Sequence, residues 1–224
     1  MGHLSGSCLA WFNRSINKHP SQVKITAIKQ QVKKPERVSI FLDEKYSFSL
    51  SLDELVKYKL KNGDELTELE AKKYKKISDD GKLRARALEW VLNRPHSVRE
   101  FNDYMYRKKA EPKLSESLVE EFTHKGYLNE RKFGEWLIDL QTRRAKSNRA
   151  IRSELFKKGL DRELINELLA SPSGEKERLK KLIEKKSKTS RYKEEPQKLA
   201  QYLAGQGFNW QDIKQALALN TPED

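Results

Sequence analysis

The chain repeats itself, and that repetition limits its possible folds more than any other feature. Glu154-Leu155-Phe156-Lys157-Lys158-Gly159-Leu160 stands 48 positions before Tyr202-Leu203-Ala204-Gly205-Gln206-Gly207-Phe208. Each run is followed by a short amphipathic stretch, carrying Ile165 in one case and Ile213 in the other. The period is about 46–50 residues, and three copies can be traced. The first helices carry Ala87/Trp90/Val91, Phe133/Trp136/Leu137 and Leu179/Leu182/Ile183. The second carry Phe101/Met105, Ile151/Leu155 and Leu199/Leu203. The third carry Leu118/Val119/Phe122, Leu164/Ile165/Leu168 and Ile213/Ala216/Leu217, and the first copy has four extra residues before its third helix. Spacing of i, i+3, i+4 predicts helices with one buried face. Gly126, Gly159 and Gly207 each close a helical run, and Ser97 with Glu100 three residues later has the form of a capping box.

One three-helix unit buries little apolar surface, so neighbouring units must stack to share a core. Hydrophobic residues at 36% against 35% charged suit thin stacked layers better than one thick core. Ahead of the repeats, Val23–Ile28, Arg37–Leu42 and Tyr46–Leu50 read as strands. Val38, Ile40, Leu42 and then Tyr46, Phe48, Leu50 alternate across a hairpin loop at Asp43-Glu44-Lys45. Leu52, Leu55, Val56 and Leu60 form an amphipathic stretch able to cover that sheet, ending at Asn62-Gly63-Asp64, with helical periodicity from Leu66 onward. The expected fold is mainly α: three tandem three-helix units in an elongated array, behind a small N-terminal β-hairpin/sheet plus helix module. The expected boundaries are a flexible tail over 1–22, the α+β module over 23–78, and helical units over 79–126, 127–172 and 173–224, with a break at Asp79-Asp80-Gly81.

Lys and Arg outnumber Asp and Glu by 46 to 33, a net charge of +13 that favours an anionic partner. Between Arg131 and Lys158 nine basic residues face three acidic ones. Arg143, Arg144, Lys146 and Arg149 gather at the junction of two helices, with Arg152, Lys157 and Lys158 following, and they form the candidate partner or nucleic-acid surface. A solvated charged face is the competing reading. Lys176 to Lys193, with nine basic and two acidic residues, ranks second because a charged linker has the same composition.

No phosphate-binding loop, HExxH pair, nucleophile elbow or Cys/His metal spacing occurs, so neither an enzyme nor a cofactor is expected. Cys8 is the single cysteine, and the tail holds no membrane-length or signal-length apolar run, which points to a reducing, cytoplasmic setting. His3, His19, His96 and His124 lie apart and are read as cap or surface residues. Trp90 and Trp136 are read as core. Trp210 is read as closing the terminal unit, with an exposed contact as its alternative.

Gly126-Tyr127-Leu128-Asn129-Glu130-Arg131-Lys132-Phe133 followed by Ile151-Arg152-Ser153-Glu154-Leu155-Phe156-Lys157-Lys158-Gly159 resembles the RecX family. Arg94-Pro95-His96-Ser97-Val98-Arg99-Glu100-Phe101 is similar to its opening pattern and Gly207-Phe208 to its closing one. The resemblance spans about Lys82 to Leu217, and the segment from Val23 to Tyr74 resembles an N-terminal extension of some members. Departures fall at Glu130, where Asp is usual, at Gly134, where Ala is usual, and near Ser147, where a Gly often precedes the helix. The resemblance implies a regulator of homologous recombination and DNA repair that binds the RecA recombinase filament on single-stranded DNA and restrains its ATPase and strand exchange. It brings no catalytic residues. The competing function is an autonomous basic DNA- or RNA-binding protein.

Overall fold

In the computed structural model, which describes residues 22–170 and 174–218, the chain divides into two compact units, Met1–Ala85 and Arg86–Asp224. The expected tail, with Cys8, His3 and His19, lies outside the described residues apart from Gln22. The first unit holds an antiparallel sheet of strands β1 (Gln22–Gln30), β2 (Arg37–Leu42), β3 (Lys45–Ser51) and β4 (Glu65–Thr67), in the order β3-β2-β1-β4. The β2–β3 turn is tighter than the expected three residues. Lys45 pairs with Leu42, leaving Asp43 and Glu44, both at positive φ as a two-residue hairpin turn requires. Beyond it the register slips between Ile40 and Phe41. That bulge interrupts the alternation, so Tyr46 is exposed, with its ring edge-on to Phe41, while Phe48 and Leu50 are buried.

Helix α1 (Leu52–Tyr58) starts at a full capping box, with Ser51 Oγ accepting from Glu54 N and the Glu54 carboxylate accepting from Ser51 N. Leu55 and Leu60 pack on the sheet, but Leu52 and Val56 face solvent. Further cover comes from Ala71, Tyr74 and Ile77 of α2 (Glu68–Leu92). Leu66, expected to open a helical run, is instead a buried residue of β4. The break expected at Asp79-Asp80-Gly81 is also absent, because α2 runs through it unbroken. Gly81 serves a close approach rather than a turn: a Cβ there would meet Glu54 Oε1 at 2.9 Å. No described helix is long and apolar enough to cross a membrane.

The second unit contains the three repeats. The last turns of α2 associate in sequence with α3 (Val98–Arg107) and α4 (Pro112–His124); then come α5 (Glu130–Arg143), α6 (Asn148–Lys157) and α7 (Arg162–Leu168), and finally α8 (Glu175–Ser187), α9 (Pro196–Gly205) and α10 (Trp210–Leu217). Most predicted stripe positions are buried or half-buried, although Ala216 of the third repeat is exposed. Ala87, Val91, Phe101, Met105, Leu118 and Phe122 are closed off in the first repeat. Phe133, Leu137, Ile151, Leu155, Leu160 and Ile165 form one core cluster in the second, and Leu179, Leu182, Leu199, Ala200, Leu203, Phe208 and Ile213 another in the third.

Adjacent repeats are joined by the same hydrogen-bonded device. The first four N–H groups of a helix lack intrahelical partners and need outside acceptors. At α3, Val98 N donates to Glu130 Oε1 at 2.8 Å, and at α6, Asn148 N donates to Glu175 Oε1 at 3.0 Å. In both cases the acceptor opens the first helix of the following repeat. The following repeat's second helix then ends against the same cap: Ser97 Oγ donates to the Lys158 carbonyl, and Ser147 N donates to the Gln206 carbonyl. Gly159 and Gly207, at φ +89° and +92°, make the approach possible; a Cβ would meet Arg99 at one seam and Ser147 Oγ, at 2.5 Å, at the other. In the third repeat Glu195 replaces the capping serine and Pro196 takes the N1 position, so the donor N–H is missing there.

Gly126 provides an internal control, since it too has positive φ but a Cβ there meets nothing within 4 Å. Gly126→Ala should therefore cost only the left-handed strain, about 1–2 kcal/mol. Gly207→Ala should cost that plus about 1–3 kcal/mol of overpacking at the seam. Thermal melts of the two variants should show the larger fall for Gly207→Ala; equal falls would remove the seam contact as a cause.

Candidate partner-binding surface

Helix α6 takes part in both seams, and this divides the predicted basic surface. Its N-terminal end meets the third repeat through Ser147 and Asn148, and its C-terminal end meets the first through Lys158 and Gly159. Arg143, Arg144, Lys146 and Arg149 belong to the first end, beside Ala145, which packs against the third repeat's core at φ 54°. Lys157 and Lys158 belong to the other end, about 15 Å away along a ten-residue helix, with Arg152 between.

The seven side chains are not equally available. Arg143 is bonded to Asp139, Arg152 to Asn166, and Lys158 Nζ to Glu100 Oε1 at 2.8 Å. Arg144, Lys146, Arg149 and Lys157 carry no side-chain hydrogen bond or ion pair among the described residues, and all but half-buried Lys146 are exposed. The second-ranked run, Lys176 to Lys193, lies partly on α8; within it Lys181 pairs with Glu177, and Lys188, just past the helix, pairs with Glu184.

Between the first and second repeats, Glu100 gathers three donors. Arg94 Nη1 stands at 2.9 Å, His96 Nδ1 at 3.0 Å and Lys158 Nζ at 2.8 Å. The expected capping box is thus half realised: Ser97 Oγ accepts from Glu100 N, while the carboxylate turns to these three donors instead of back to Ser97 N. His96 is neither a cap nor a surface residue. It is 3% exposed and stacked on Trp90 at 3.5 Å between ring centroids, with Tyr104 stacked on Trp90 at 4.5 Å. Trp90 and Trp136 are half-buried at this seam rather than central in their cores, and the Arg94 guanidinium lies 4.6 Å from the Trp136 ring centroid. Trp210 is an exposed residue at the start of α10, with Lys214 over its ring, so it does not close the terminal unit as expected. A sequence signal for the seam acids exists in hindsight: Glu130 and Glu175 occupy the same place at the start of successive first helices.

The two seam acids are shifted in opposite directions. Burial opposes ionisation of Glu100, but hydrogen bonds from His96, Lys158 and Arg94 outweigh it and hold the carboxyl well below the usual range. Burial raises Glu130, only partly offset by the Val98 N–H, with the Glu100 charge adding to the rise; Glu130 Oε2 is buried without a partner. A depressed acid stabilises the fold above its unfolded value, about 4.3, and that contribution fades as pH falls toward the folded value. Glu100→Gln should therefore lower the melting temperature at neutral pH, by an amount that shrinks as pH drops below about 4.3. A raised acid has the reverse sign, so Glu130→Gln, which keeps an acceptor for Val98 N, should be no less stable than the parent at neutral pH. Melts across a pH series would contradict this assignment if both variants shifted in the same direction.

Comparison with known proteins places these features in a family. Residues 23–67 match the model described as "Regulatory protein RecX N-terminal domain", and residues 174–217 match "RecX, third three-helix domain". The regulatory protein RecX of Listeria monocytogenes is 32% identical over 209 residues, covering 90% of this chain and 77% of that protein. That of Bacillus licheniformis is 35% identical over 204 residues, covering 86% and 76%. A crystal structure of a regulatory protein RecX superposes with a TM-score of 0.62 at 21% identity, over 88% of this chain and all of the other, which bears on the fold alone. With both ends of the family's architecture matched, and relatives about one-third identical over most of their length, the chain belongs to the RecX family of regulatory proteins.

Proposed function

We propose that this chain is a non-catalytic regulator that binds the RecA filament on single-stranded DNA and restrains its ATPase and strand exchange, acting in the cytoplasm. Membership of a family of regulatory proteins carries the reading, and the cations at the two ends of α6 supply a means. Each repeat seam sets helix ends in register through a shared acceptor. Cations on the middle repeat are therefore presented from a scaffold tied on both sides, and little ordering remains to be done on binding. A filament is itself a repeating anionic object, with phosphates along its strand and one protomer after another. A modular helical protein can meet such a partner at more than one point. Restraint follows when the bound state occupies surface that incoming DNA or protomer rearrangement needs.

The four unengaged cations are the ones to change. Replacing Arg144, Lys146, Arg149 and Lys157 together by Glu removes no ion pair among the described residues, so circular dichroism and melting should stay close to the parent. Binding to preformed filament and inhibition of its ATPase should both fall. Where these residues contact phosphates, the salt dependence should flatten by about 0.7 in log–log slope per lost contact to single-stranded DNA. Undiminished binding and inhibition by the folded variant would exclude this surface. Failure of the parent chain to bind filament at all would overturn the function itself.

A further inference from the structure

The repeat also aligns two exposed aromatic side chains that packing does not require. Tyr106 follows core residue Met105 on α3, and Phe156 follows core residue Leu155 on α6. Tyr106 is 85% exposed and Phe156 46%. Each is followed by two cations, Arg107-Lys108 in one repeat and Lys157-Lys158 in the other. The third repeat has Ala204-Gly205-Gln206 at this register, after core residue Leu203, so the fold of a repeat asks for neither the ring nor the charges. One exposed aromatic is ordinary on a protein surface. Its recurrence at the same register with the same basic pair is not accounted for by burial.

The first set lies at the seam between the first and second repeats, and the C-terminal end of α6, which carries the second set, reaches that seam through Lys158 and Gly159. Tyr106 and Arg107 line a cavity together with Lys158, and Trp90 and Arg94 form part of its wall. Glu100 in that wall is occupied by Arg94, His96 and Lys158, whereas Arg107 and Lys157 are exposed and without an ion pair among the described residues. Asp103, exposed on the same wall, is an opposing charge. An aromatic face beside unpaired cations is the pairing that a single strand of nucleic acid takes, with a base on the ring and its phosphate on the charge. An acidic protein surface would satisfy the cations but leave two wet rings without a flat partner.

We propose that Tyr106 and Phe156 are equivalent base-stacking contacts, served by Arg107 and Lys157, for a single strand of nucleic acid crossing the seam between the first two repeats. This deepens the reading above by giving the strand within the filament its own contact on the chain, and it holds only if the protein binds bare single strands. The probe is a fluorescein-labelled oligothymidylate, titrated by anisotropy with the full-length chain and no recombinase present. Tyr106→Leu and Phe156→Leu, which keep apolar bulk but lose the ring, should each weaken binding by about 5- to 150-fold, the range for loss of one base–aromatic stack. Tyr106→Phe and Phe156→Tyr should bind as the parent does, and Asp103→Asn should bind more tightly. Absence of parent binding to the bare strand overturns this proposal while leaving filament regulation standing. Parent-like binding by the folded Tyr106→Leu/Phe156→Leu double variant overturns it as well. A double variant that keeps the bare strand but loses filament would instead assign the two rings to the recombinase.

Discussion

An N–H group at the start of a helix has to find an acceptor, and in this chain the acceptor belongs to the next repeat. Val98 depends on Glu130 and Asn148 on Glu175, while the carbonyls of Lys158 and Gln206 depend on Ser97 and Ser147. Pulling two repeats apart would therefore expose apolar surface and also leave helix ends and carboxylates without partners, a cost of about 1–3 kcal/mol for each such group that stays buried. The Ser, Glu and Gly that build the joint recur with the repeat, so the same contact is made twice. At the matching place in the third repeat, Pro196 and Glu195 supply neither the donor N–H nor the capping hydroxyl.

The first seam adds a charged layer around Glu100. Glu100 is held ionised by Arg94, His96 and Lys158, while Glu130 nearby has one oxygen satisfied and the other buried without a partner. Buried ion pairs of this kind contribute little net stability compared with apolar packing, but removing one partner is costly. Their more evident effect here is to set register. Arg94 reaches from the first repeat to the Trp136 ring of the second, and Lys158 reaches back from the second to Glu100 of the first. The stacked Trp90, His96 and Tyr104 close the same region with flat surfaces.

Pairing within and between the repeats also limits how much of the positive charge is available to a partner. The chain carries +13, yet Arg143, Arg152 and Lys158 from the predicted surface are engaged within the fold. Position on α6 separates the remainder into one group at the seam with the third repeat and one at the seam with the first. A polyanion meeting all of them would have to follow the helix rather than sit at a single basic spot.

Much of the architecture was legible from local pattern. Stripes at i, i+3 and i+4, glycines at helix ends, and a 48-residue echo between Glu154–Leu160 and Tyr202–Phe208 were enough to specify three repeats behind a small sheet, because helix periodicity and turn chemistry act over a few residues. Errors arose where distant segments decide the outcome. Gly81 reads as a break until Glu54 is seen against it, Tyr46 reads as core until a bulge reverses its face, and β4 is too short to show without β1 to pair with. His96 is the exception: Trp90 and Glu100 lie within six residues of it, and it reads as surface because only the turn between α2 and α3 folds its ring onto Trp90 and its Nδ1 onto Glu100. The sequence by itself determined which residues are basic and how often the unit recurs. Only the tertiary structure decided which of those cations are consumed in holding the repeats together and which stay free, because ion pairing depends on distances of 3–4 Å between helices far apart along the chain.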